Sequence, residues 1–332
     1  MQSWWIRTEG GKLVVELRDT PAPAPKAGEA LVRVRAASLN RGEFIASLGL
    51  HAASAEAKPA GQECAGEVLE IGAGVTGLAP GDRVMGRARG AFAELAVMDA
   101  REAIPVPARL SWEEAAGVPL VFLVGYDMLY PGGNLKAGEW LLVTGVSSGV
   151  GVASLQLAKL IGANVIGTSG SAAKLDRLRP LGLDVGAQGR GGGFLEAATK
   201  ATGGKGVDLV VNNVGGTVFA ECVRALAYQG RLATVGYLDR TLTSEIDLEA
   251  LHSKRLRLFG VSNKLRTAAE RAETVRGFVR EVLPAFADGR LRPLVDRVFP
   301  FADLPAAKAR MESDAQVGKI VVAMGEGGGA AR

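Results

Sequence analysis

Three glycines in the run Val143-Thr144-Gly145-Val146-Ser147-Ser148-Gly149-Val150-Gly151 stand directly after an apolar stretch and open a helical pattern. That arrangement suits a phosphate-bearing ligand. Gly145 permits a tight turn, Gly149 leaves room for a pyrophosphate, and Gly151 lets the helix lie close to a sheet. The unpaired N–H groups and dipole at the helix start then attract the phosphates. Gly145, Ser147, Ser148, Gly149, Val150 and Gly151 are therefore candidate cofactor-binding residues. The spacing alone is weak, because glycine supplies 45 of 332 residues and such a pattern arises by chance roughly once in a chain of this composition. Its context carries the reading: strand, turn, helix and a second strand arrive in order.

The end of that second strand, Val165-Ile166, should choose between dinucleotides. An acidic residue there would bind the ribose hydroxyls of NAD. This chain offers Thr168, Ser169 and Ser171, with Lys174, Arg177 and Arg179 just beyond and no acid before Asp176. Hydroxyls and cations suit a 2′-phosphate, so Ser169, Ser171 and Lys174 are candidates for binding NADP(H). Lys174 and Arg179 as ordinary solvated helix charges is the competing reading.

These residues need elements to hold them. From Leu141 the chain alternates apolar strands with helices: strands at Leu141–Val143, Val165–Ile166, Val207–Val211, Leu232–Val235 and Leu256–Val261, and helices at Val150–Ile161, Leu175–Leu181 and Ala220–Ala227. Ala153, Leu157, Leu160 and Ile161 share a helix face. The pattern predicts a Rossmann-type parallel sheet covered on both sides. Before Tyr130 the rhythm differs. Leu13–Leu17 is a short apolar run, broken by Pro21, Pro23 and Pro25. Leu31–Ala36 alternates, with Val32 and Val34 on one face and Arg33 and Arg35 on the other. Val68–Gly72 and Arg83–Met85 follow, punctuated by glycine and proline, which suggests a barrel-like antiparallel fold. The first helix is expected after Ser111, with Glu114 at the capping-box position. Beyond Asn263 come one long helix, Ala268–Phe286, a strand at Leu294–Val298, a short helix near Leu304–Met311 and a strand at Lys319–Val322. These last strands need a sheet, so the C-terminus is expected to rejoin the first domain. The tail Gly325–Arg332 reads as disordered.

Composition narrows the function classes. Against 39 Lys and Arg stand 35 Asp and Glu, a net charge of +4 spread along the chain without a patch. That argues against a nucleic-acid binder. No stretch of 18 or more apolar residues occurs, and Met1–Gly11 has no basic region followed by an apolar run, so a soluble protein without a signal peptide or membrane span is expected. Two distant cysteines, Cys64 and Cys222, make no cluster and favour the cytoplasm. With His51 and His252 they form no zinc-ligand spacing.

Several segments together carry a family likeness: Ala37-Ser38-Leu39-Asn40-Arg41-Gly42-Glu43, Pro59-Ala60-Gly61-Gln62-Glu63-Cys64-Ala65-Gly66, Gly72-Ala73-Gly74-Val75-Thr76, Pro80-Gly81-Asp82-Arg83-Val84, the glycine loop, Asn213-Val214-Gly215-Gly216 and Gly318-Lys319-Ile320-Val321. Over nearly its whole length the chain resembles the medium-chain dehydrogenase/reductase superfamily, and within it the zinc-free quinone oxidoreductase-like branch. The resemblance implies a GroES-like β-barrel-type catalytic domain built from both chain ends, residues 1–124 and 263–332, around a Rossmann cofactor domain, residues 125–262. Zinc relatives carry ligands where this chain has Asn40 and Gln62, so no metal is expected. The likeness places Asn40 near the nicotinamide, and Val214, Gly236, Val261 and Ser262 along the cofactor. Where relatives have a Thr before an Ala-Tyr, this chain has Val124-Gly125-Tyr126, without that hydroxyl.

The resemblance further implies a homodimer, with Leu256–Val261 as the candidate edge strand, and a small carbonyl or quinone substrate. Without a metal, hydride transfer needs an electron sink that hydrogen bonds can stabilise, such as a quinone or an α,β-unsaturated carbonyl compound. Asn40, Arg41 and Tyr126 are the candidate catalytic donors by family position. Asn40 as a turn residue, Arg41 as a surface charge and Tyr126 as a packed aromatic remain open. Two alternatives stand beside the NADPH-dependent quinone or enone reductase. One is a reductase of activated double bonds in acids or thioesters, with Arg41 holding an anionic group. The other is a non-catalytic, crystallin-like NADPH sensor. No proton donor is evident.

Overall fold

The computed structural model describes residues 1–10, 12–44 and 56–325. His51 and residues 326–332 of the tail lie outside the described residues. The chain forms two compact units, Met1–Leu123 with Arg266–Arg332, and Val124–Leu265.

The first unit is built on strands β1 (Gln2–Glu9), β2 (Lys12–Asp19), β3 (Glu29–Ser38), β4 (Lys58–Pro59), β5 (Glu63–Ile71), β6 (Arg83–Arg87), β7 (Leu95–Asp99) and β8 (Ile104–Pro105). In β3, Val32 and Val34 are buried and Arg33 is exposed, as alternation dictates. Short 3-10 turns at Arg41–Phe44 and Ala100–Glu102 precede the first α-helix, Trp112–Ala116. Ser111 and Glu114 cap that helix reciprocally.

The second unit contributes β9 (Trp140–Thr144), β10 (Asn164–Ser169), β11 (Val185–Gln188), β12 (Val207–Asn212), β13 (Leu226–Thr234) and β14 (Arg257–Gly260). Their order is β11-β10-β9-β12-β13-β14, all parallel. Strand order thus reverses at β9, and a doubly wound sheet of this order binds its ligand at the carboxyl ends of the strands beside that reversal. Leu142, Ile166, Val210 and Leu232 fill the centre of the sheet.

The chain closes with β15 (Val295–Pro300) and β16 (Lys319–Ala323). Strand β16 lies antiparallel on β3 with Val321 opposite Ser38, and β15 runs parallel to β16. The first unit's large sheet therefore reads β15-β16-β3-β5-β6-β8, with β7 also on β3, and a smaller sheet reads β2-β1-β4.

Four helices differ from expectation; the expected Ala220–Ala227 runs over Gly216–Ala225, and Leu226 already opens β13. The helix Gly149–Ile161 is buried on every side from Gly151 to Ala158 rather than along one face. The expected helix Leu175–Leu181 is a helix Ala172–Asp176 followed by a 3-10 turn Arg179–Leu181. Pro180 lacks the N–H that a continuous helix would need and restricts Arg179 before it. The expected helix Ala268–Phe286 is divided into Ala268–Glu281 and Leu283–Ala287. Pro284 cannot donate to the carbonyl of Arg280, and the chain bends at Val282.

Candidate functional site

The carboxyl ends of β9, β10, β12 and β13 bring the expected cofactor residues together. Thr144, the last residue of β9, is wholly buried. Its hydroxyl donates to Asn212 Oδ1 (3.1 Å) and accepts from the Asn213 N–H (3.0 Å). Asn212 Oδ1 also accepts the Val214 and Gly215 N–H groups, each at 3.1 Å. Two buried asparagines and a threonine thus hold the chain reversals after β9 and β12 in one geometry.

Gly145 turns the chain with φ +64°, and its N–H donates to Thr168 Oγ1 at 3.1 Å. Ser148 caps the following helix by accepting the Gly151 N–H at 3.0 Å. This leaves the N–H groups of Gly149 and Val150, at the positive end of the helix, for an anion. A side chain on Gly151 would strike the carbonyl oxygens of Gly145 and Val146 at 2.5 and 2.6 Å. Gly151 therefore serves the loop's own backbone rather than the expected packing of helix on sheet. The loop presents backbone N–H groups at a helix start, which fits a bound pyrophosphate.

At the end of β10, the hydroxyls of Ser147 and Ser169 lie 3.4 Å apart, and the Ser171 N–H reaches Ser169 Oγ at 3.4 Å. Lys174 is half-buried on the next helix. Arg179, exposed, pairs with Asp176 at 3.1 Å. A further cation outside the motif stands beside this strand end. Arg190, just after β11, lies so close over Gly170 that a Cβ there would sit 2.5 Å from its Nε. Val214 and Leu238 flank Gly145, and Gly236 lies against Asn213. Val261 donates its N–H to Thr234 O at 2.9 Å, at the end of β14, and Ser262 follows, exposed.

The first unit holds a second cluster, made of charge. Lys319 at the start of β16 is 4% exposed and Glu63 at the start of β5 is 0% exposed. Lys319 Nζ donates to Glu63 Oε1 at 2.9 Å, Asn40 Oδ1 at 2.7 Å and Leu39 O at 2.8 Å, which uses all its hydrogens. Glu63 Oε1 also accepts Ser38 Oγ at 2.6 Å and Asn40 Nδ2 at 2.7 Å, and Oε2 accepts the Leu120 N–H at 2.7 Å. The second Nδ2 hydrogen of Asn40 goes to Glu43 Oε1 at 3.1 Å. Burial pushes the Glu43 carboxyl up to about 8; Glu63 adds to the rise, while Asn40, Lys319 and the Gly61 backbone oppose it.

The candidate catalytic donors fare differently. The Asn40 carboxamide has both hydrogens engaged, so it is a fixed strut and not an open donor. Arg41 binds Asp314 and, at 2.9 Å, the Met311 carbonyl, tying its turn to the helix Leu304–Glu312. Tyr126 is buried and stacked on Tyr130 with ring centres 4.9 Å apart. Both cysteines are buried; desolvation first, then a neighbouring glutamate, pushes the Cys64 thiol up to about 12 and the Cys222 thiol above its usual range. Neither is a nucleophile at neutral pH. No group of three or more His, Cys, Asp or Glu among the described residues is placed to hold a metal ion. Glu43, Glu63 and Lys319 went unassigned from sequence, although each lies inside a segment that carries the family likeness.

Residues 26–108 match the alcohol dehydrogenase GroES-like domain, and residues 149–277 match the zinc-binding dehydrogenase domain. The spectinabilin polyketide synthase system protein NorB of Streptomyces orinoci is 36% identical over 97% of this chain, which spans 14% of that protein. Across the polyketide synthases among its relatives the chain spans as little as 5% of their length. Acryloyl-coenzyme A reductase of Metallosphaera sedula is 29% identical over 96% of this chain and 98% of its own. A mycobacterial protein solved in complex with NADPH superposes with a TM-score of 0.86 at 28% identity, covering 97% of this chain and 100% of the other. With this fold and these two domains, the chain belongs to the medium-chain dehydrogenase/reductase superfamily.

Two outcomes follow from the buried cluster. Lys319→Met leaves the Glu63 carboxylate without its cation and should lower unfolding stability in urea by about 3–5 kcal/mol. Replacing Glu63 by Gln in the same chain should recover part of that loss. The second concerns pH. Because the folded chain holds the Glu43 proton more tightly than the unfolded chain, wild-type stability should fall as pH rises from about 4.5 to about 8. The fall attributable to this carboxyl is up to roughly 5 kcal/mol, and Glu43→Gln should remove that component of the pH slope.

Proposed function

We propose that the chain is an NADPH-dependent, zinc-independent oxidoreductase that reduces the double bond of an α,β-unsaturated carbonyl compound, with quinones as a further substrate class. The observation that carries the cofactor choice is the rim of β10. Ser169, Ser171, half-buried Lys174 and Arg190 over Gly170 surround that strand end. A 2′-phosphate gains charge-assisted hydrogen bonds from such a set, and a bare ribose gains little. The NADPH complex of the mycobacterial relative supports the same choice.

When bound, the nicotinamide supplies hydride. The residues of this chain then bind and orient: Gly145, Ser147, Ser148, Gly149, Val150 and Gly151 take the pyrophosphate, while Val214, Gly236, Val261 and Ser262 line the cofactor's path. Asn40 holds a fixed place in the first unit, and Tyr126 contributes a rigid aromatic wall. Arg41 Nη2 is engaged by Asp314 and the Met311 carbonyl.

Among activated double bonds, thioesters are favoured over quinones. The acryloyl-coenzyme A reductase is similar over almost its whole length, and polyketide synthases also carry a segment like this chain. We further infer a homodimer through β14, which ends the parallel sheet with Arg257 exposed. Sedimentation at micromolar concentration should give twice the mass of 34.4 kDa; a clean monomer would contradict it.

NADPH oxidation should be observed with an acryloyl or crotonyl thioester and, more slowly, with a naphthoquinone. Tight NADPH binding with no turnover of either substrate would instead mark a sensor. Lys174→Ala and Arg190→Ala should each weaken NADPH binding roughly ten- to a hundredfold and leave NADH binding nearly unchanged. Equal loss toward both cofactors would mean the β10 rim is misassigned.

A further inference from the structure

Four of the five residues from Gly189 to Gly193 are glycines, and the fifth is Arg190. Glycine loses more conformational freedom on ordering than any other residue. Something must therefore hold this turn if Arg190 is to keep its place over Gly170. One end is held by the sheet: the Gly189 N–H donates to Ser169 O at 2.9 Å, one step beyond the pairing of β11 with β10. The other end is held by a single carboxylate. Glu221, inside the helix Gly216–Ala225, accepts the Gly193 N–H on Oε2 at 2.8 Å. Its Oε1 accepts the Phe194 and Leu195 N–H groups at 2.7 and 2.8 Å. Gly192, at φ +112°, passes so close that a Cβ there would strike Glu221 Oε2. Phe194 is buried in the same core cluster as Cys222, the residue after Glu221. These three bonds all go to backbone, so what Glu221 sets is the path of the turn.

We propose that Glu221 is a positioning residue for cofactor choice: by fixing the turn Gly189–Gly193 it holds the Arg190 guanidinium where a 2′-phosphate is recognised. The inference rests on the proposed role of the β10 rim and adds the residue that orders it. Charge alone predicts the opposite effect, since a carboxylate near a phosphate repels it. The two contributions therefore differ in sign. Hydrogen bonds from a guanidinium to a phosphate depend on direction and distance, whereas repulsion between charges in reach of solvent is screened. Loss of position outweighs relief of repulsion.

The full chain is titrated with NADPH and with NADH as wild type, Glu221→Ala, Arg190→Ala and the double variant. Alanine favours a helix interior, so Glu221→Ala spares the helix that carries it. It should weaken NADPH binding roughly five- to fiftyfold and change NADH binding by less than about twofold. Because Glu221 acts through Arg190, the double variant should bind NADPH no more weakly than Arg190→Ala alone. Glu221→Gln keeps one acceptor oxygen and should fall between wild type and Glu221→Ala, which preserves the test if the alanine variant fails to fold. Amide hydrogen exchange without cofactor gives an independent readout. In Glu221→Ala the Gly193, Phe194 and Leu195 amides should exchange about tenfold faster or more.

Unchanged or tighter NADPH binding on loss of Glu221, equal losses toward both cofactors, or losses that multiply in the double variant would overturn the proposal. Unchanged exchange at Gly193–Leu195 would show that Glu221 does not fix the turn. If Arg190→Ala binds NADPH as wild type does, the reading of the β10 rim falls, and the role of Glu221 in cofactor choice falls with it.

Discussion

The first unit depends on one buried ammonium. Lys319 sits near the end of the chain, and its three hydrogens reach Leu39, Asn40 and Glu63, residues more than 250 positions earlier. Glu63 then takes Ser38 and the Leu120 N–H. A fully apolar alternative could fill the same volume at no loss of stability, since a buried pair rarely outweighs its desolvation cost. What the pair adds is direction. Three hydrogens and two carboxylate oxygens can be satisfied together only when β16, the end of β3, the start of β5 and the segment at Leu120 meet in this register. A one-residue slip of β16 on β3 would turn Lys319 to the other face and strand Glu63.

The second unit solves the same problem with backbone. At the carboxyl ends of its strands the charged side chains are few, Asp239, Lys174 and Arg190 among them. Thr144, Asn212 and Asn213 bond to main-chain groups and to one another, so that bare N–H groups and glycines face outward. Their partners are buried and their geometry admits little variation, which is why the glycine pattern can be so short. A phosphate needs donors held at fixed spacing, and a helix start with a serine cap provides them.

Legibility from sequence followed the range of the interactions. The glycine loop, the capping box at Ser111 and the alternation in β3 are local, and each was readable where it stands. Strand β11 was not, because Val185-Gly186-Ala187-Gln188 has neither an apolar run nor β-branched weight. The helix Leu195–Ala201 was also missed. Its Leu195 N–H, and those of Gly193 and Phe194 just before it, donate to Glu221, from beyond β12, at 2.7–2.8 Å. No residue beside that helix carries the signal. Arg190 escaped for the same reason: its placement over Gly170 depends on β11 pairing with β10. The Asn40 site was legible by position but not by role, since nothing local says that Glu43 and Glu63 would claim both hydrogens of the carboxamide.

Asn40 stands where the family resemblance places a zinc ligand in other members, and its chemistry differs from a ligand's. A metal holds its ligands by coordination and tolerates anionic neighbours because its own charge is large. A carboxamide is neutral, so anything anionic beside it must find compensation elsewhere. Lys319 compensates one carboxylate, Glu63, and has nothing left for a second. Glu43 therefore stands as an acid that burial keeps protonated, with Asn40 as its one side-chain hydrogen-bond donor. The cluster is balanced with a single positive charge, a single negative charge and one retained proton. Adding or removing either charge leaves a buried group unmatched, and Asn40 is hydrogen-bonded to all three side chains.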